Sequence, residues 1–124
     1  MGLWYGSRHV KPGQIVKSGF KIEGCGMWGH GIQFESNPQN CCPQTSFPVF
    51  GKEDHYQVFL VNVLVGNSAE VGDRLDPRLQ RPPKSQDAAI FHSVKGSLCG
   101  SDTYTVYDVN QAYPSYLLTY KYNY

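Results

Sequence analysis

At 124 residues with a net charge of +1, 40% hydrophobic and 17% charged, the chain suits one domain with a real core and excludes a charged disordered tail. Near-neutral charge steers it towards neither nucleic acid nor an anionic membrane. No apolar stretch nears the ~20 residues needed to span a bilayer, and residues 1–5 lack the features of a secretory leader.

In chain order, Leu3, Trp4 and Tyr5 predict a short strand ending at Gly6 and Ser7. Pro12, the run 14–17 and Gly19 predict a short helix, with Pro in its first turn and Gly as its cap. Four glycines in residues 24–31 predict a loop of wide backbone freedom, able to wrap a ligand or turn tightly. Residues 56–65 read as the best strand, apolar enough to be buried on both faces. Residues 72–84, with Pro77, Pro82 and Pro83, predict an exposed irregular connection. Further strands are predicted over 88–94, 104–107 and 116–122, and Leu60, Val61, Val63, Val106 and Leu118 are expected in the core. Strands dominate and helices are few and short, which is an α+β class.

Cys25, Cys41, Cys42 and Cys99 are too few and too unevenly spaced for a disulfide scaffold. A zinc site from Cys25, His30, Cys41 and Cys42 would lack a C-x-x-C knuckle. Free thiols, no metal and an intracellular setting, cytoplasmic or nuclear, are the expectation. Gly24, Gly26 and Gly29 satisfy G-x-G-x-x-G by letters, but no βαβ unit surrounds them.

The order of motifs resembles the catalytic domain of the poly(ADP-ribose) polymerase (PARP) family of ADP-ribosyltransferases. Leu3-Trp4-Tyr5-Gly6-Ser7-Arg8 resembles L-x-H-G-[ST]-[RS], residues 15–20 (IVKSGF) resemble a helix exit, and residues 27–34 (MWGHGIQF) resemble M-[FW]-G-x-G-I-Y-F. The runs VFLVNVLVG, RPP, FHSVKG, TYTVYD, QAYP and YLL follow in family order. The resemblance implies a single domain over 1–124, with split antiparallel β-sheets and few short helices around a nicotinamide pocket. Members carry a further strand and helix before the first motif, so a minimal domain or a fragment is expected.

Transfer of ADP-ribose from NAD passes through an oxocarbenium-like state. In the family a His holds the adenosine-side ribose, a Tyr stacks on nicotinamide and a Glu holds the nicotinamide-side ribose. Those positions fall on Tyr5, on Gln44 (or, with a gap, Cys41 or Cys42) and on Thr103, so all three are substituted. Thr103 cannot supply the negative charge, a loss commonly worth on the order of a thousandfold in rate. Gly6, Ser7, Gln33 and Phe34 fall where the family contacts the cofactor, and Tyr5, Ser7, Phe34 and Thr103 should line one concavity. Glu35 is the candidate substitute carboxylate, whereas Asp102 and Asp108 should face away from Thr103. His30 and His92 read as loop and surface residues.

Two functions follow. One is a pseudoenzyme or binding module with weak or no NAD-dependent transfer. The other is an active mono-ADP-ribosyltransferase acting on a protein or nucleic-acid target. NAD or a nicotinamide-like ligand, a protein target or protein partner, and no membrane are the implied associations. Nucleic acid is not expected as a partner on charge grounds.

Overall fold

The structure, a computed structural model, describes every residue except Glu23, Ala88 and Cys99, and the backbone alone for Leu98. Strand β1 (Gly2–Tyr5) is followed by helix α1 (Pro12–Ser18), β2 (Ile32–Glu35), β3 (Phe47–Pro48) and β4 (His55–Val63). Then come β5 (Ser68–Gly72), β6 (Ser93–Leu98), β7 (Ser101–Val106) and β8 (Ala112–Lys121). Short 3-10 turns occupy Pro38–Asn40 and Val109–Gln111. The class is α+β with a mostly antiparallel mixed sheet.

Hydrogen bonding runs in the order β3-β4-β1-β2-β7-β6-β5, with β8 along the other edge of β4. Among these pairs β5–β6 is parallel and the rest are antiparallel. The sheet nearly divides between β1 and β2. They meet at a single register pair, Trp4 opposite Glu35, and then diverge.

Strand alternation decides what each face does. Leu3 lies opposite Val61, Ile32 opposite Val106, and Phe34 opposite Tyr104. These side chains, with Phe59 and Val63, form the core, covered by Ile15 of α1 and by Phe20. Phe20 sets its ring edge-on to both Tyr5 and Phe34, at 5.0 and 5.5 Å between centroids. Helix α1 forms where expected. Pro12 opens it, and Gly19 closes it at φ 77°, donating its N–H to the Ile15 carbonyl.

On the opposite face Trp28 lies over Gly96, where any Cβ would collide with the indole. The indole N–H donates to the Arg74 carbonyl at 2.9 Å, and the Tyr107 hydroxyl donates to the Trp28 carbonyl at 2.6 Å. The glycine-rich loop is thereby pinned to the sheet.

Three expectations are corrected. Leu118 is 39% exposed rather than core, because β8 lies at the margin of the sheet, hydrogen-bonded to β4 alone. Strand β4 is buried on one face only in full. Phe59, Val61 and Val63 are inside, but Leu60 is half-buried and Asn62 exposed. The strand expected over 88–94 begins at Ser93, pairing in register with β7, while Ala88 lies outside the described residues. Strands β2, β3 and β5 form where no strand is predicted. Each is short, and its extended form is held by the strands it pairs with: β1 and β7 for β2, β4 for β3, and β6 for β5.

Candidate functional site

Where β1 and β2 part, a cleft of about 430 Å³ opens. Trp4, Tyr5, Gly6 and Ser7 form one wall, and Gln33 and Glu35 the other. Glu35 stands directly opposite Thr103 in the β2–β7 register, so both side chains share a face. The Thr103 hydroxyl donates to Glu35 Oε2 at 2.7 Å. Gln33 Nε2 donates to Oε1 at 3.1 Å. Each oxygen of the carboxylate therefore has its own donor, which fixes the group in one orientation.

Thr103 is 1% exposed and lies beneath Glu35 instead of lining the cleft. Phe34 does not line it either. Alternation turns its ring into the core, with no exposed surface, while Gln33 and Glu35 take the cleft side. Gln44 is also absent from the walls. It is exposed, and its carbonyl accepts from the Arg8 guanidinium. Of the four residues expected in one concavity, Tyr5 and Ser7 are there, Thr103 lies beneath it bonded to Glu35, and Phe34 faces away.

Asp102 and Asp108 do face elsewhere. Asp102 pairs with Lys95 at 3.7 Å, and Asp108 accepts from the Asn110 N–H. His30 and His92 are exposed.

Residues 37–46 fold back over the tip of β1, a feature that sequence reasoning missed. Ser46 Oγ donates to the Cys41 carbonyl at 2.6 Å, and the Tyr120 hydroxyl reaches Ser46 at 2.7 Å. The Thr45 carbonyl rests on the α-carbon of Gly6, so closely that no side chain would fit there. The Cys41 side chain lies beside the same α-carbon. Burial pushes that thiol up to about 12, helped by the neighbouring Glu35 carboxylate. Ser7 Oγ accepts from the N–H groups of His9 and Val10, capping its own turn.

A second depression of about 530 Å³ adjoins the first, sharing Tyr5, His9, Val10 and Lys21 and running along α1 to Lys17. Glu35 is the sole carboxylate among the described residues lining the two. Cationic side chains thus stand towards α1 and a fixed anion stands at the β1–β2 fork, an arrangement that suits an elongated ligand with phosphates at one end. The sequence signal for Lys21 and His9 is faint: each directly follows a family-like motif and belongs to none.

Among the described residues no cluster of His, Cys, Asp or Glu could hold a metal ion, and Cys25, Cys41 and Cys42 are free. The expectation for Cys99 lies outside the described residues. No helix among the described residues is long and apolar enough to cross a membrane. No protein-family model matches the sequence, and a search of curated proteins finds no significant match.

Proposed function

We propose that this chain is a PARP-like ADP-ribosyltransferase-fold domain acting as a pseudoenzyme or binding module, with weak or no transfer from NAD. One observation carries the reading. By the resemblance Gly6 falls where the family receives the nicotinamide amide on main-chain groups, and here the Thr45 carbonyl covers its α-carbon with the Cys41 side chain beside it. A ligand amide would have to displace residues 41–45, which Arg8 grips through the carbonyls of Pro43 and Gln44. Tyr5 in place of His and Thr103 in place of Glu add to the same reading.

The joined depressions remain open to a nucleotide whose phosphates meet Lys21 and His9. Titration with NAD under thermal melting tests this. A ligand at 100 times its Kd adds about 2.7 kcal/mol, roughly 10 °C for a chain of this size. Binding with no label transferred from radiolabelled NAD supports the binding module, and robust transfer overturns it.

A second reading rests on Glu35. Held by Thr103 and Gln33, its carboxylate supplies the charge that Thr103 lacks, within reach of a cation developing in the cleft. In that case the domain is an active mono-ADP-ribosyltransferase, and Glu35→Ala abolishes transfer, costing on the order of a thousandfold. Restoring the family Glu at Thr103 would set two carboxylates together. Thr103→Glu is therefore informative only with Glu35→Ala.

A further inference from the structure

We propose that the loop 78–84, with the adjoining Ile90 and Phe91, is a binding site for single-stranded nucleic acid. Arg78, Arg81 and Lys84 are exposed, sit three residues apart, and line one hollow of about 600 Å³ that has no carboxylate in its wall. A second hollow of about 330 Å³ shares residues 81–84 and adds Ile90 and Phe91 as an apolar wall. Ile90 is 72% exposed. The site shares no lining residue with the cleft at the β1–β2 fork, so it stands independently of the proposed function.

The base of the loop is anchored. The Leu79 carbonyl accepts from the His30 N–H at 2.7 Å, the Asp76 N–H donates to the Met27 carbonyl at 3.0 Å, and Trp28 holds the Arg74 carbonyl. Two acids flank the loop in sequence. Asp76 accepts from the Arg78 N–H, and Asp87 accepts from the Ser85 hydroxyl and the Ala89 N–H. Among the described residues none of the three cations makes an ion pair. Net charge conceals the patch. The chain has eleven Lys and Arg and ten Asp and Glu, and the eight cations outside this loop are outnumbered by the acids.

Cations that track a backbone beside an apolar, aromatic surface that takes base faces are the elements of single-strand recognition. A duplex keeps its bases stacked and offers that wall nothing. An acidic peptide offers charge without ring faces.

Anisotropy of a labelled oligothymidine of about ten nucleotides tests the site. Three phosphate contacts predict saturable binding whose log affinity falls with log salt at a slope near −2. Arg81→Gln should reduce the slope by about 0.7, and Lys52→Gln, an exposed cation elsewhere, should leave it unchanged. Phe91→Leu keeps the wall apolar but removes the ring, and should weaken binding about fivefold or more with the slope intact. Melting curves of the variants confirm that each is folded. The proposal is overturned by absence of binding at low salt, by a slope insensitive to Arg81→Gln, or by equal affinity for a duplex or for polyglutamate.

Discussion

The bond between Thr103 and Glu35 joins two residues 68 positions apart and fixes the carboxylate of the cleft. Thr103→Val removes the hydroxyl but keeps the branched shape that suits a strand. Glu35→Ala removes the acceptor from a wall open to solvent, so water rather than a void takes its place. Each single change mixes terms. Valine gains from burying a methyl at a site only 1% exposed, and alanine also releases the bond from Gln33. A double-mutant cycle cancels these and leaves the pair. A hydrogen bond to a charged group is worth about 1.5–3 kcal/mol, and half-exposure of Glu35 puts the expectation near the lower end, about 1.5 kcal/mol. That corresponds to roughly 6 °C in melting temperature at this chain length. In urea it is a shift of about 1 M in midpoint, with the slope of the transition unchanged. The assay is urea unfolding of the wild type, both single variants and the double variant. A coupling within about 0.3–0.5 kcal/mol, the scatter of independent sites, would refute the idea that Thr103 holds Glu35.

Gly96→Ala forces a methyl group into the buried Trp28 ring and should cost about 1–3 kcal/mol, with tryptophan emission shifting to the red; unchanged stability and emission would contradict the packing. Tyr107→Phe leaves the Trp28 carbonyl without its donor, and urea unfolding should show a loss of about 1–2 kcal/mol. In thiol labelling near pH 8, exposed Cys25 should react well before buried Cys41, whose thiol is pushed up to about 12; equal rates would place Cys41 at the surface. Unfolded Cys41 loses its proton near 9.0 while the folded thiol keeps it. Folding stability should therefore be intact below pH 9 and fall as pH rises towards 12, by at most about 1.4 kcal/mol per unit, and Cys41→Ala should flatten that fall.

Local chemistry was legible where a residue's constraint is intrinsic. Pro12 and Gly19 mark the ends of α1 whatever surrounds them, because one fixes φ and the other tolerates positive φ. The apolar runs of β1, β4 and β7 announce strands in the same way. Glu35, Gln33 and Thr103 are singled out through the family resemblance alone, whereas alternation already turns Asp102 away from Thr103.

What no local pattern contains is the register across distant segments. Pairing of Glu35 with Thr103 and of Trp4 with Glu35 decides both the carboxylate's partners and the fork at which the cleft opens. The same register sends Phe34 inward, although its neighbours line the cleft. The folding of residues 37–46 over Gly6 depends on Arg8 and on Tyr120, the latter 74 residues from Ser46, so Gly6 could be read as an open anchor until those bonds were seen. Leu118 misled for a related reason. Its apolarity says that it can be buried, and only the outer place of β8 beside β4 leaves it exposed. Propensity and turn chemistry act over a few residues, whereas burial and hydrogen-bond partners are properties of neighbours that the chain brings together only by folding.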